Sequence, residues 1–100
     1  MAVYIIASYD IEDPEAYKGY VPGVLPLLEK HGAEILVADY GATTIEGQGR
    51  EVNVVLKFES NEAAMNWYND SDYGPVKNMR LNSTKNGTLI LAKHFVPPPE

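Results

Sequence analysis

Most of the strand-forming segments in this chain are apolar at both alternations. In "AVYIIASY", residues 2–9, Val3, Ile5 and Ala7 alternate with Tyr4 and Ile6. In "AEILVADY", residues 33–40, Ile35 and Val37 alternate with Leu36 and Ala38, and in "GTLILAKHF", residues 87–95, Leu89 and Leu91 alternate with Ile90 and Ala92. Successive side chains of a strand point to opposite faces, so a sheet with one wet face shows one polar alternation. Here neither alternation is polar, which calls for cover on both faces. A chain of 100 residues has material for one core. The second face therefore needs cover from outside the chain, and the simplest cover is the same sheet of a second copy about a two-fold axis.

The remaining strand, "EVNVVLKFE" at 51–59, separates the two faces. Val52, Val54, Leu56 and Phe58 form one apolar parity and Asn53, Val55 and Lys57 a mixed one. The apolar parity is assigned to the helices, which leaves Asn53 and Lys57 facing the partner or a wet interior; a β-bulge would reverse this.

Helix signals sit between the strands. Asp13, Pro14 and Glu15 supply a capping oxygen, a first-turn proline and an acid at the positive end of the dipole. Tyr17, Tyr20, Val21, Val24, Leu27, Leu28 and His31 then recur at helical spacing up to Gly32, with Pro22, Gly23 and Pro26 predicting a bend or restart near 21–23. Ser60 caps a second helix in which Ala64, Trp67 and Tyr68 share a face. Asp72 and Pro75 open a short third one carrying Val76, Met79, Arg80 and Ser83. The connection at 41–49 has room for a short β segment at Thr43–Ile45. The order is βαββαβ with an extra helical turn before the last strand: an α+β fold whose two right-handed crossovers put the helices on one face of a four-stranded antiparallel sheet. Residues 1–96 form a single domain, and the proline-rich 97–100 a disordered tail.

Fourteen acidic against eight basic side chains give a net charge of −6, with Lys77, Arg80 and Lys85 the nearest approach to a basic cluster. That balance disfavours nucleic acid and anionic membranes as partners. Without cysteine there is neither a disulfide framework nor a thiol nucleophile. The opening "MAVYIIASYD" has no basic n-region, and its apolar run is too short for a signal peptide or a membrane span, so the expected location is cytoplasmic.

"DPEAYKGY", "HGAEIL", "VVLKFES" running into "EAAMNWYNDSDYGPVKNMR", and the closing "GTLILAKHF" together resemble the domain-of-unknown-function family 1330, within the dimeric ferredoxin-like α+β barrel superfamily. The resemblance spans roughly residues 2–95. It implies a homodimer whose sheets meet as a barrel, each subunit keeping a crevice between its own sheet and helices. Relatives elsewhere in that superfamily include cofactor-free monooxygenases, haem-degrading oxygenases, cyclases, isomerases and ligand-sensing domains, and fold alone does not choose among them.

Tyr17, Tyr20, Trp67, Tyr68 and Tyr73 have two readings: core filling with polar tips at the surface, or the walls of a crevice for a planar ligand. Arg80 either snorkels outward to acids such as Asp70 or Asp72, or turns inward as an anchor for a carboxylate or enolate. His31 and His94 are far apart and have no carboxylate cluster near them, so no metal site is expected. His31 suits the end of the first helix, and His94, a candidate general base or, as the resemblance implies for some superfamily relatives, an axial haem ligand, ranks behind Arg80. No cofactor fingerprint is present. The candidate ligand-binding set is Tyr17, Tyr20, Trp67, Tyr73, Arg80 and His94. Two functions remain: a small-molecule enzyme or binder using the crevice, of the cofactor-independent oxygenase, isomerase or cyclase class if an enzyme and with a small aromatic or acidic metabolite as partner, or a non-catalytic dimeric ligand-binding or interaction module. A crevice of about 300 Å³ or more with Arg80 on its wall would favour the first.

Overall fold

The computed structural model describes residues 1–99. The elements run β1 (Val3–Ile11), α1 (Pro14–Tyr17), α2 (Tyr20–Lys30), β2 (Glu34–Asp39), β3 (Val52–Phe58), α3 (Asn61–Tyr68), α4 (Tyr73–Ser83) and β4 (Thr84–Lys93). The sheet order is β2-β3-β1-β4 with every neighbouring pair antiparallel. This is the ferredoxin-like α+β arrangement that the order of the segments predicts. No helix among the described residues is long and apolar enough to cross a membrane. Of the expected tail, residues 97–99 carry neither helix nor strand, and Glu100 lies outside the described residues.

The helix boundaries follow from local chemistry. Asp13 accepts a hydrogen bond from the Ala16 amide at 3.2 Å and Ser60 from the Ala63 amide at 3.0 Å, so both predicted caps are made. Gly32 takes φ 70°, while the Gly32 amide bonds the Glu29 carbonyl and the Ala33 amide the Leu28 carbonyl, closing α2 with a Schellman motif. The expected interruption at 21–23 falls instead at residues 18–19. Restarting at Tyr20 puts Pro22 in the first turn of α2, where its missing N–H would have had no helical partner in any case. α4 is longer than the short helix expected from Asp72 and Pro75, and residues 43–45 form no strand.

Cross-strand register assigns the two faces. Val3, Ile5, Ala7 and Tyr9 of β1 pair with Phe58, Leu56, Val54 and Val52 of β3, and this side packs under the helices. The apolar parity of β3 thus faces the helices, as expected. On the helix-free side, Val37, Val55, Ile6 and Ile90 stand in register across all four strands and form one apolar row. Glu34, Lys57, Tyr4 and Ala92 flank it on one side, and Asp39, Asn53, Ser8 and Thr88 on the other. The open face is therefore a stripe with polar margins rather than a second full core. Two facts account for the difference: Leu89 and Leu91 lie in register with Ala7 and Ile5 on the helix side, and a bulge between Ile35 and Val37 breaks the alternation of β2.

One polar cluster ties the helix layer together. The Asp70 carboxylate, in the α3–α4 turn, accepts from Lys30 Nζ at 2.8 Å, from the Asp72 amide at 2.9 Å, and lies 2.7 Å from His31 Nε2. These contacts, with Lys30 first, hold the Asp70 carboxyl well below the usual carboxylate range. A carboxyl depressed in the folded state stabilises the fold above its unfolded pKa near 3.9, and that contribution fades as pH falls below it. Thermal melts from pH 7 to pH 3 should therefore show a steeper acid loss for wild type than for Asp70→Asn. Parallel curves for the two proteins would show that the cluster contributes nothing.

Candidate functional site

The layer between helices and sheet is not completely filled. A cavity of about 80 Å³ lies between α2 and the β2–β3 side of the sheet. Its inner wall carries Tyr9, Tyr17, Tyr20, Trp67 and Arg80, and its sides carry Val21, Val24, Leu28, Val54 and Leu56. Leu25, Ile35 and Tyr40, each 43–44% exposed, mark the mouth. The opening exists because β2 is an edge strand exposed along its whole length, beyond the reach of the helix layer. A crevice with Arg80 on its wall is thus present at well below 300 Å³. A shallower apolar groove of about 260 Å³ beside Met65, Tyr68 and Leu91 has no charged group in its lining.

Arg80 sits on α4 and is 6% exposed. The outward reading of this residue does not hold: its side chain is buried, and among the described residues no ion pair joins it to Asp70 or Asp72. Among the described residues no carboxylate lies within 4.0 Å of the Arg80 guanidinium. Burial works against its charge, but the oxygens of Tyr73 and Tyr20 beside it outweigh that effect and raise its pKa. Its Nε is buried without a hydrogen-bond partner, and so is Nε1 of Trp67. Lys77, the other cation in this segment, lies over the Tyr68 ring at 4.2 Å and takes no part in the cavity lining.

The phenols form two hydrogen-bonded sets. Tyr9 and Tyr17 hydroxyls are 2.6 Å apart and Tyr17 and Tyr40 hydroxyls 3.2 Å apart, a chain from the buried sheet to the cavity mouth. Tyr20 and Tyr73 hydroxyls are 2.7 Å apart. Burial, the largest cause in each case, pushes the Tyr9, Tyr17 and Tyr20 pKa values up, so these phenols are neutral at physiological pH. The guanidinium is then the one charge on the cavity wall.

Of the six candidate residues, the fold brings Tyr17, Tyr20, Trp67 and Arg80 to one cavity. Tyr73 is fully buried behind Tyr20, with its ring centroid 4.6 Å from that of Trp67, and does not line the space. His94 lies elsewhere: its Nδ1 is 2.7 Å from the Tyr4 hydroxyl and its ring stacks on Tyr4, which belongs to the helix-free face. Tyr9 and Tyr40 join the site without having been singled out in the sequence. The available signal was a tyrosine on the helix-facing parity of β1, whose buried hydroxyl needs a partner.

A four-stranded ferredoxin-like sheet with a small aromatic crevice under one helix defines a class of α+β protein that serves many functions. The chain belongs to the DUF1330 family, a domain of unknown function, whose profile matches residues 2–94. No curated protein matches it. Among solved structures it is similar to a protein of unknown function from Rhodopseudomonas palustris, at 16% identity and TM-score 0.82, covering 96% of this chain and 84% of that one. A hypothetical protein from Arabidopsis thaliana is similar at 17% identity and TM-score 0.71, covering 97% and 91%. A dimeric protein of unknown function with a ferredoxin-like fold, from Bacteroides fragilis, is similar at 9% identity and TM-score 0.58, covering 93% and 96%. These likenesses establish the fold.

Proposed function

We propose that this chain is a homodimeric protein that binds a small aromatic or acidic metabolite in the crevice between α2 and β2, with Arg80 holding the ligand. The observation that carries this reading is a buried guanidinium, without a carboxylate partner, on the wall of an otherwise apolar space. The Tyr73 and Tyr20 oxygens support that charge in the free protein, and a ligand carboxylate would add the direct charge-assisted partner that neutral phenols do not supply. The homodimer is supported by the apolar row on the helix-free face and by the dimeric Bacteroides fragilis relative. A catalytic reading, in the cofactor-independent oxygenase, isomerase or cyclase class, is favoured by one feature. The Tyr9–Tyr17–Tyr40 hydroxyl chain links the inner wall to the half-exposed rim and would serve proton exchange with a bound substrate.

The test is a comparison of wild type with Arg80→Met by thermal unfolding. Methionine fills similar space but gives up the guanidinium's contacts with the Tyr73 and Tyr20 oxygens, so the ligand-free variant is expected to lose roughly 1–2 kcal/mol, or about 5–15 °C in Tm. Members of a panel of small aromatic compounds, acids included, should stabilise wild type and leave the variant unmoved. Equal stabilisation of both proteins would remove Arg80 from the site.

A further inference from the structure

We infer that the crevice is built for a monocarboxylate, whose carboxylate group meets Arg80 and the Trp67 indole N–H at the inner end while its apolar remainder points to the mouth at Leu25 and Ile35. This rests on the binding role proposed above and narrows it to one chemical class.

Arg80 Nε and Trp67 Nε1 are buried without partners, and both side chains line the same cavity. Each atom is a donor only, so the missing partner in both cases is an acceptor. Trp67 is 1% exposed and Arg80 6%, so bulk solvent does not supply that acceptor freely.

Charge decides which acceptor. A neutral carbonyl or hydroxyl would satisfy the donors and leave the guanidinium uncompensated, whereas a carboxylate does both through charge-assisted bonds. The Tyr9, Tyr17 and Tyr20 phenols do not substitute for it, because burial keeps them protonated.

The walls set the number of charges and the size. Apart from Arg80 the lining is aliphatic and aromatic, with Val21, Val24, Leu28 and Leu56 closing the sides. A second carboxylate would lose its hydration with no partner in return, which disfavours dicarboxylates and phosphate dianions. A space of about 80 Å³ accommodates the carboxylate and a few carbons. A larger apolar tail extends into the open mouth, where Leu25 and Ile35 are half-exposed.

The experiment uses the single tryptophan of the chain, whose indole N–H gives one isolated resonance in a nitrogen-15 correlation spectrum. The full chain is titrated with isobutyrate, benzoate, the amide of each, and phthalate. The acids should saturate with a downfield displacement of the indole resonance, and their amides and phthalate should bind at least about tenfold more weakly. Arg80→Lys keeps the charge but not the planar fork and should weaken benzoate roughly tenfold. Trp67→Phe, which keeps a ring in place, tests the second donor and should weaken benzoate by about the same factor. Amides binding as tightly as acids would overturn the carboxylate class and leave the proposed binding role standing. Acid binding that leaves the indole resonance unmoved would overturn the role of Trp67 and with it this seat. No binding of any of the five compounds at millimolar concentration would take the proposed function down as well.

Discussion

Sedimentation of the wild-type chain at micromolar concentration is expected to return about twice the 11.1 kDa chain mass, and Ile6→Lys about once that mass. Ile6 lies on the inner strand β1, between Val55 of β3 and Ile90 of β4, near the middle of the apolar row. It is 39% exposed in the single chain, and Ile90 is 53% exposed and Val37 43%. A central apolar stripe with polar margins is how association surfaces are built, with the residues of largest effect near the middle. Because a two-fold interface uses the same patch twice, one substitution enters it twice. Truncating a central contact costs roughly 2 kcal/mol, so the two copies together cost about 4 kcal/mol, close to a thousandfold in dissociation constant. The side chain of Ile6 points away from the helices, so the variant should keep its far-ultraviolet circular dichroism. A wild-type chain that stays monomeric at these concentrations would sink the proposed dimer, and a dimeric Ile6→Lys would move the interface off this face.

The same row shows how far the sequence could be read. Strand composition, Asp13, Ser60 and Gly32 are local signals, and local geometry obeys them, so the element order and the parity of β3 were legible. What alternation could not deliver was register between strands. Leu36 counts as one face of β2 in a strict period of two, but the bulge after Ile35 makes it the extra residue and turns Val37 to the open side. Which side of the sheet His94 occupies follows from the β1–β4 register, which pairs Lys93 with Val3 on the helix side and leaves His94 beside Tyr4, ninety residues away in the chain. Arg80 was balanced between outside and inside for a related reason. Asp70, one of the two acids that would have held it outside, is taken by Lys30 and His31, a pairing between the end of α2 and the α3–α4 turn that no local pattern encodes. Tyr9 and Tyr40 enter the site through hydroxyl contacts with Tyr17 made only once the sheet and helices are stacked.

Trp67→Ala is expected to be the most destabilising single truncation in the site, at about 3–5 kcal/mol, and Trp67→Phe to cost less than half as much. Trp67 is packed against Phe58, Tyr73 and Tyr68, with ring centroids 5.7, 4.6 and 6.2 Å away. It also forms part of the wall of a cavity that is already present, so truncation enlarges a void whose other walls, β3 and α4, are held by the sheet and by the Asp70 cluster and cannot easily collapse. A domain of this size has roughly 5–15 kcal/mol of stability in total, so the alanine variant should lose about 15–30 °C in Tm and lie near the threshold of folding. The phenylalanine variant separates packing from polarity. It retains a six-membered ring against Tyr73 and removes the indole N–H, which is buried without a partner in the free protein. Deleting an unsatisfied buried donor returns about 1–3 kcal/mol, enough to offset most of the lost ring volume. Equal losses in the two variants would show that the N–H is satisfied without a ligand, by a partner such as bound water. The pattern expected instead, a large loss with alanine and a small one with phenylalanine, ties the stability of the free chain to the same orphan donor that the carboxylate is inferred to satisfy.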